Sequence, residues 1–576
     1  MNKQGMQINM PTRPSTSWKS TTLVFLVSLV LLFLSMDRAM NVYDEGIVLT
    51  HAQETLHGAV VHRDFHSVYG PGSYAILAAL FWLFSPSFIV ARLFGITVQA
   101  LIVAATFAIL KVRASIWIAI GCAVVCLMWL IASVNYLYPT YPCLLLTLVG
   151  SGVLLRSSTA KRGLALFAAG CCCGLSAYFR YDAGFFAAAA QALAVMLVAV
   201  KEHGSFKFGI QRGLRSVSLL ALGAFVVFLP GAIAYAMTSP LSSFRADIID
   251  YGLNIYPEAR ALPFPNFSAM LSDPAQFGVY LPPIIVILAL PLVLHDYAVK
   301  KCENTVSFAL LFSLLSLVLY YKGFVRVSIT QMIFAIVPAL VLFAYLIENY
   351  RNSRSWLRVT LIVTMLVIIS TSTIAVVNQL APFQYDPRRY VLGLVEQRIG
   401  LLRQVPRLSD RCIAWSGMRY ALLRPSYLLV ARYINRHTDQ RERILVGLDR
   451  HDKIFINPMS LYYAADRLPG TRWSQYDPGI QNSREIQGEM IEDMLQNDVR
   501  YVVRDASFDN KNEPNDSAMS TGVHLLDNFI AEKYRPIAQS GSVRIWLRKD
   551  INVTAIDDVE ACRLDDVSPQ TLASAR

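Results

Sequence analysis

Charged residues and nucleotide-binding motifs are scarce in this 576-residue sequence. Asp, Glu, Lys and Arg make up 16% of it and are thinly spread between Thr21 and Gln379, against about 25% in a typical soluble domain. There is no Gly-x-Gly-x-x-Gly run, P-loop or Lys/Arg-rich run, so neither a nucleotide nor a nucleic acid is indicated as a partner. None of the nine cysteines forms a CxxC pair with a matching His or Cys set, so a zinc site of that kind has no support.

Long apolar runs dominate instead. Hydrophobic residues make up 55% of the sequence, and a spanning helix needs about 20 mostly apolar residues. We predict eleven spans, at 21–36, 88–110, 115–133, 139–155, 163–178, 183–200, 215–237, 276–294, 305–321, 327–347 and 356–377. The shorter stretch 72–84 is predicted as a re-entrant or interfacial helix. The fold class is therefore a multi-pass α-helical membrane protein with about 11–13 transmembrane helices.

The Lys/Arg clusters between these spans indicate an orientation, because cytoplasmic loops are enriched in these residues. Alternating spans place every cluster on one side, at 111–113, 156–162, 201–215, 300–301 and 351–358. Residues 1–20 join that cytoplasmic side, followed by an uncleaved signal anchor. We assign the net charge of +12 to these loops. The outer loop 37–87 and the C-terminal part then face the periplasm or the extracellular space, across the inner (plasma) membrane.

Charge becomes dense after Asp386, where a separate domain is predicted. Helix and strand patterns alternate there, which is typical of an α/β domain. The predicted strands are Arg443–Leu448, Lys453–Ile456, Val499–Arg504 and Val543–Arg548. The predicted organisation is a transmembrane domain at 21–381, an extracytoplasmic α/β domain at 382–549 and a flexible tail at 550–576. Without a phosphate or metal motif, the α/β domain is expected to hold no catalytic carboxylate.

The first outer loop concentrates polar residues at the edge of the membrane. Asp44 and Glu45 follow the first span, and the run from His62 through Arg63 and Asp64 leads to Tyr69. Ionisable residues are costly at this depth and are functional candidates by default. The alternative for Asp44 is that it only caps the helix that follows.

Four further charges lie where spans meet the predicted outer face. Arg180 and Asp182 separate two spans and either pair with each other or hold a lipid phosphate. Lys322 and Arg326 lie on the outer side despite the positive-inside trend. They either extend to lipid headgroups or bind an anionic substrate, for which the planar donors of Arg suit phosphate. Tyr138 lies in a Tyr/Pro-rich loop that has the composition of an interfacial aromatic belt.

Several short segments along the chain together carry a family resemblance. They are Tyr43–Gly46, Arg63-Asp64-Phe65, Tyr69-Gly70-Pro71-Gly72, Ala91-Arg92-Leu93, Tyr138-Pro139-Thr140, Gly174-Leu175, Arg180–Gly184, the loop at Arg326, Ala464–Pro469 and Arg472-Trp473. In this order they resemble the GT-C superfamily of polyprenyl-phosphate-sugar-dependent glycosyltransferases. The similar branch includes protein mannosyltransferases and the lipid A aminoarabinose and galacturonosyl transferases.

The resemblance implies a GT-C-like fold and a catalytic carboxylate in the first loop, at Asp44 with Glu45 beside it. It implies substrate contacts among the other loop residues, namely His62, Arg63, Asp64, Tyr69, Tyr138, Arg180, Asp182, Lys322 and Arg326. The implied partners are a polyprenyl-phosphate-linked sugar donor, membrane lipid, and a glycolipid, glycan or protein acceptor of the envelope. No cofactor is assigned, and a divalent metal at Asp44 or Glu45 is left open.

One segment departs from the family pattern. Many relatives look like Arg-x-Asp-x-x-His near position 326, whereas this chain has Arg326, Ser328 and Gln331. The competing interpretations are a transporter or flippase of lipid-linked sugars and a structural protein. A transporter would show internal repeats or broken helices near the middle of the membrane, whereas here the charges gather at one face, which favours the enzyme.

Overall fold

The computed structural model describes residues 18–36, 40–134, 136–156, 161–202, 206–299, 304–353, 355–380 and 423–551. Residues 1–17, the boundary predicted at 381/382 and residues 552–576 of the predicted tail lie outside this range. The membrane body consists of the helices α1 Trp18–Ser35, α2 Asp44–Leu56, α3 Gly72–Phe84, α4 Phe88–Leu110, α5 Ile116–Ile131, α6 Thr140–Arg156, α7 Arg162–Phe179, α8 Tyr181–Glu202, α9 Phe206–Thr238, α10 Leu241–Phe244, α11 Tyr256–Ala259, α12 Phe267–Ser272, α13 Leu281–Val299, α14 Asn304–Lys322, α15 Ile329–Tyr350 and α16 Ser355–Leu380.

Helices occupy all eleven stretches that were predicted to span. Eight described helices are long and apolar enough to cross a membrane, and α3, α5, α6 and α14 are shorter apolar helices. The chain is thus a multi-pass membrane protein, as predicted. The 33-residue helix α9 is longer than the span predicted at 215–237, because the helix continues through the Lys/Arg-rich segment before it.

The helices α7 and α9 pack backbone against backbone through glycine. A Cβ on Gly170 would lie 1.9 Å from the carbonyl oxygen of Leu220, and one on Gly223 would lie 2.0 Å from that of Phe167. Small residues allow such approach where van der Waals packing, rather than the hydrophobic effect, holds helices together in lipid. The helix α15 is the most enclosed of the spans, with most of its side chains buried.

The C-terminal domain is built on a five-stranded sheet. Its strands are β1 Arg443–Leu448, β2 Leu468–Pro469, β3 Tyr501–Asp505, β4 Tyr534–Ser540 and β5 Val543–Arg548. They lie in the order β2-β1-β3-β5-β4, with β1 parallel to β2 and β3, and β5 antiparallel to β3 and β4. Helices α17 Pro425–His437, α18 Ser460–Ala465, α19 Arg484–Gln496 and α20 Leu525–Lys533 complete it.

The strand predictions in this domain need three corrections, the first being that the two-residue strand β2 was missed. The segment Lys453–Ile456 is a loop rather than a strand, since its three apolar residues are consecutive and do not alternate between a buried and an exposed face. The strand β4 was missed, because Arg535, Pro536 and Gln539 break the apolar alternation of an edge strand that is only partly buried.

The C-terminal domain sits directly on the first loop. Its helix α18 packs against α2, where the Ser460 amide donates to the Val42 carbonyl at 2.9 Å and the Thr50 hydroxyl donates to the Met459 carbonyl at 3.1 Å. Gly46 allows the closest approach, because a Cβ there would lie 2.4 Å from the Ser460 nitrogen. The beginning of α2, which carries Asp44, is therefore held between the membrane body and the domain.

Candidate functional site

Asp44 is the first residue of α2, and its side chain does not cap the helix. The residue before it, Tyr43, makes no side-chain cap bond, and the Asn41 side chain instead accepts from the Tyr43 and Asp44 amides at 3.0 and 2.8 Å. The Asp44 carboxylate turns towards the membrane body, where it accepts from the Tyr136 hydroxyl at 3.3 Å. The capping alternative for Asp44 is therefore wrong, because the Gly46 and Ile47 amides that it would satisfy donate to the Asn41 and Tyr43 carbonyls instead.

Glu45 is held in a buried ion pair. Arg92 donates to its two oxygens at 2.5 and 2.8 Å, and both side chains are 2% exposed. The Arg92 guanidinium also lies over the Phe88 ring at 4.7 Å and the Tyr136 ring at 5.9 Å. This two-point contact anchors the beginning of α2 to α4, and it differs sharply from the environment of Asp44.

A row of buried tyrosines leads away from Asp44. Tyr136 and Tyr138 are T-shaped at 6.3 Å, as are Tyr138 and Tyr69. Tyr136 and Tyr138 are buried within the fold, so the interfacial-belt interpretation of this loop is wrong for them. The row ends below the Arg180 guanidinium, which lies 5.5 Å from the centre of the Tyr69 ring.

Two cations and one carboxylate meet at that end of the row. Arg180 donates to Asp182 through two nitrogens at 3.0 and 2.9 Å, and the Lys322 ammonium lies 3.6 Å from the same carboxylate. The predicted Arg180–Asp182 pair therefore exists. The Lys322 ammonium lies in the same cluster, and its side chain is only 4% exposed, which does not fit a lysine extended to lipid headgroups. Two positive charges against one negative leave the cluster net positive.

Arg326 reaches the site from the loop before α15. Its guanidinium donates to both oxygens of Glu513 in the C-terminal domain at 2.7 and 2.6 Å, and to the carbonyl of Arg260 at 2.9 Å. The neighbouring polar side chain Gln331 donates to the Tyr138 hydroxyl. At this departure from the family pattern the amide thus takes part in the tyrosine row.

A second polar network, buried at the junction with the C-terminal domain, surrounds Asp247. Its carboxylate is 3.0 Å from Nδ1 of His62 and 2.8 Å from Nδ1 of His66, and it accepts from Arg472 at 2.9 Å. His62 takes a φ of +64° and also contacts the Tyr181 hydroxyl at 3.2 Å. A non-glycine residue in this region is uncommon and usually has a reason. Here the turn directs the ring of His62 into the network.

Arg63 and Asp64 stand apart from both groups. They pair with each other at 2.6 Å and are about one-third exposed. Asp64 also accepts from the Val60 amide at 2.7 Å, so the pair closes the turn that presents His62. The structure thus brings Asp44, Tyr69, Tyr138, Arg180, Asp182 and Lys322 along one row with Arg326 near its start, and it places Arg63 and Asp64 outside.

The electrostatic surroundings distinguish Asp44 from other carboxylates of the loop. Burial raises the pKa of Asp44 above its usual value, while the Arg260 and Arg326 guanidiniums and the Tyr136 hydrogen bond lower it in part. A carboxylate that is partly desolvated and also faces cations is a reasonable proton acceptor near neutral pH.

A metal site at Asp44 and Glu45 gains no support from the described residues. The one group of three metal-ligating side chains found among them is Asp452, His524 and Asp527, within the C-terminal domain. Arg450 and Arg504 already pair with these two aspartates. Both oxygens of Glu45 accept from Arg92, so a cation at this position would have to displace an arginine.

Several residues of the site were missed by reasoning from the sequence. Asp247 and Arg260 come from the loop 238–275, and Asp477 comes from the C-terminal domain. The signal available was charge, but Asp247 and Arg260 are two of six charged residues in this outer loop, and nothing local distinguishes them from the other four. Nothing in the sequence indicates that these two and a residue more than 200 positions later meet the first loop, because that depends on how the domain docks.

Comparisons with known proteins place the fold. No family model matches the sequence, and no curated protein sequence matches it. The crystal structure of ArnT from Cupriavidus metallidurans in the apo state matches with 14% identity and a TM-score of 0.55, covering 92% of this chain and 98% of that chain. The structure of the same protein bound to undecaprenyl phosphate matches with 13% identity and a TM-score of 0.53 at the same coverage. The chain therefore has the fold of ArnT, which confirms the fold that the resemblance implied.

Proposed function

We propose that this chain is a membrane glycosyltransferase that moves a sugar from a polyprenyl-phosphate donor to an envelope glycolipid, glycan or protein. The observation that carries the proposal is the row of tyrosines that joins one carboxylate, Asp44, to a net positive cluster at Arg180 and Lys322. Such a row offers a proton acceptor at one end and a phosphate site at the other. The solved ArnT structure that shares this fold is bound to undecaprenyl phosphate, which supports a lipid-phosphate donor.

The reaction needs little more than these groups. Asp44 accepts the proton of the acceptor hydroxyl as its oxygen forms a bond to C1 of the sugar. The bond between C1 and the phosphate oxygen breaks, and the lipid phosphate leaves with its electron pair. Arg180 and Lys322 stabilise the negative charge on that phosphate. Attack opposite the leaving phosphate inverts the configuration at C1, and no nucleotide is required because the donor carries its own leaving group.

The assignment of Asp44, rather than Glu45, as the base follows from their partners. Arg92 occupies both oxygens of Glu45 at hydrogen-bond distance, so this carboxylate would have to break a buried ion pair to take a proton. The contact described above for the Asp44 carboxylate is the hydrogen bond from Tyr136, and Asp44 remains partly exposed. Glu45 then acts as the anchor that keeps Asp44 in place.

We infer that the site opens on the outer face of the membrane, with the C-terminal domain outside the cytoplasm. The support is the placement of the Lys/Arg clusters. Cysteine labelling in intact cells at positions 60, 113, 162 and 450 tests it. Labelling by an impermeant reagent is expected at 60 and 450 only, and its absence at 60 with labelling at 113 would overturn the orientation.

The experiment for the function compares envelope glycolipids, glycans and glycoproteins by mass spectrometry between a wild-type and a deletion strain. Complementation uses wild-type protein, Asp44→Asn and, as a matched control, Asp64→Asn. A sugar-bearing product should disappear in the deletion strain and return with the wild type and with Asp64→Asn. In Asp44→Asn the rate should fall about 100-fold or more, in line with the loss of a general base. Full restoration by Asp44→Asn would contradict the proposed mechanism, and an unchanged envelope would contradict the function.

A further inference from the structure

Asp477 of the C-terminal domain lies at the centre of the contacts between this domain and the first loop. One oxygen of its carboxylate accepts from the Tyr43 hydroxyl at 2.9 Å and from Arg260 at 3.0 Å. The other accepts from the Gln475 amide at 2.6 Å and lies 3.8 Å from Nε2 of His66. All of these side chains are buried. A carboxylate buried with this set of donors is held in one position and ionised state.

The partners of Asp477 belong to three different parts of the chain. Tyr43 and His66 come from the first loop, Arg260 comes from the loop between α11 and α12, and Gln475 comes from the C-terminal domain itself. The Tyr43 hydroxyl shares its single proton between Asp477 and the Tyr476 carbonyl, which lies 2.6 Å from its oxygen, and Arg260 donates to that hydroxyl at 3.3 Å. Because Tyr43 immediately precedes Asp44, whatever holds Tyr43 also sets where the carboxylate of Asp44 can lie.

We propose that Asp477 and Arg260 are positioning residues, and that the buried ion pair between them is the means by which the C-terminal domain holds Asp44 in the site. The role of Asp44 as base rests on the proposed function above. The contacts between Asp477 and Arg260 are observed in the structure and do not depend on that function. The domain is then part of the catalytic unit although none of its carboxylates touches the reacting atoms.

The charges around Asp44 make this proposal measurable. The groups that face it are Arg260, Arg326, Tyr136 and Asp477, with Tyr43, Tyr69 and Tyr138 close by. Burial raises the pKa of Asp44, Arg260 lowers it and Asp477 raises it. Burial also opposes the ionisation of Asp477, but the contacts with His66 and Arg260 outweigh it and lower the pKa of Asp477. Asp477 is therefore negative at neutral pH. Removing the charge of Arg260 should raise the pKa of Asp44, and removing the charge of Asp477 should lower it.

The test is infrared difference spectroscopy of the purified full-length protein in lipid nanodiscs as a function of pH. The protonated-carboxyl band that Asp44→Asn removes reports the titration of Asp44 without any substrate. In Arg260→Gln its midpoint should rise by about 1 pH unit, the size of effect that a nearby opposite charge produces. In Asp477→Asn, which keeps an oxygen acceptor for Tyr43 and Arg260, the midpoint should move less and downwards.

Asp527→Asn is the matched control, because Asp527 is also a mostly buried carboxylate paired with an arginine, Arg504, but within the domain. It should leave the titration of Asp44 unchanged. If Arg260→Gln and Asp477→Asn also leave the midpoint unchanged, the proposal is overturned. Asp477 would then be a contact that only holds the domain on the body.

Turnover in the complemented deletion strain separates this proposal from the proposed function. Arg260→Gln should lower product formation about 10- to 100-fold, as expected when a reactive group is misplaced by a fraction of an ångström to 1 Å. If the infrared midpoints shift as expected while Asp44→Asn remains active, the positioning pair stands and the proposed base is wrong. If Asp44→Asn is inactive while the midpoints do not move, the base stands and the positioning pair is wrong.

Discussion

Buried charged residues find their partners differently in the membrane body and at its junction with the C-terminal domain. Within the body each charged residue pairs with another residue of the body: Glu45 with Arg92, and Asp182 with Arg180 and Lys322. At the junction the partners come from opposite sides. Arg260 and Arg326 of the body pair with Asp477 and Glu513 of the domain, and Arg472 of the domain pairs with Asp247 of the body.

The difference indicates two separate tasks. Pairs inside the body depend only on how the helices fold, so they can hold the site together before the domain docks. Pairs across the junction exist only when the domain is in place, and three of their members, Arg260, Arg326 and Asp477, act electrostatically on Asp44. A buried pair broken at one partner leaves an uncompensated charge, so each kind can be tested by removing one charge.

Removing Glu45 should produce the largest effect, and the effect should be on stability. Glu45→Gln removes the carboxylate that accepts from the buried Arg92 at two points, and breaking a buried ion pair at one partner typically costs about 3–5 kcal/mol. Thermal unfolding in detergent should show a large fall in Tm. The control Glu202→Gln removes a partner of Arg162 that is more than one-quarter exposed, where an ion pair contributes about 0–1 kcal/mol. A stable Glu45→Gln variant without turnover would instead make Glu45 the base.

Whether the sequence predicts a contact depends on how far apart along the chain the two residues lie. The helices of the body follow from apolar runs of spanning length, strand β1 from a short apolar run and strand β5 from local alternation, because each signal lies within one element. The pairing of Arg180 with Asp182 was one of the two alternatives for that segment, since the two are separated by one residue. The pairing of Arg260 with Asp477 joins positions more than 200 residues apart, and no local pattern contains it.

Truncating Arg180 should have the next largest effect, on donor binding. Arg180→Ala leaves Lys322 alone beside Asp182, so the cluster is no longer net positive. Loss of a charged partner in a largely buried site costs about 2–5 kcal/mol. Arg180→Lys should restore binding only in part, because it lacks the planar set of donors. Binding of undecaprenyl phosphate to the purified protein measures this, with Arg63→Ala as the exposed control. Equal affinity in Arg180→Ala and the wild type would remove the phosphate site from this end of the tyrosine row.

Filling the space at Gly46 tests the contact between the two regions directly. A Cβ in Gly46→Ala would lie 2.4 Å from the Ser460 nitrogen and 2.9 Å from the Met459 carbonyl carbon. Backbone atoms must then move, and overpacking of this kind costs about 1–3 kcal/mol. Hydrogen exchange should increase in residues 41–56 and 457–465 but not in the spans. Gly252→Ala is the control, since nothing lies within 4 Å of a Cβ there. Unchanged exchange in Gly46→Ala would mean that the domain is not held at this contact.

The smallest expected effect concerns Glu513, which pairs with Arg326, the arginine that the sequence analysis offered as a second candidate for binding an anionic substrate. Burial raises the pKa of Glu513, but its hydrogen bonds and ion pair with Arg326 outweigh this and lower it, so the pair is charged at neutral pH.

Glu513→Gln keeps the size of the side chain and removes its charge, which frees the cation for a competing phosphate. Because Arg326 and Glu513 are 24% and 15% exposed, we expect a gain in undecaprenyl phosphate affinity of no more than about fivefold, or about 1 kcal/mol. The gain should vanish in the double variant Arg326→Ala/Glu513→Gln, which binds as Arg326→Ala does. If Glu513→Gln instead weakens binding as much as Arg326→Ala, the pair acts as a junction contact and Arg326 does not touch the donor.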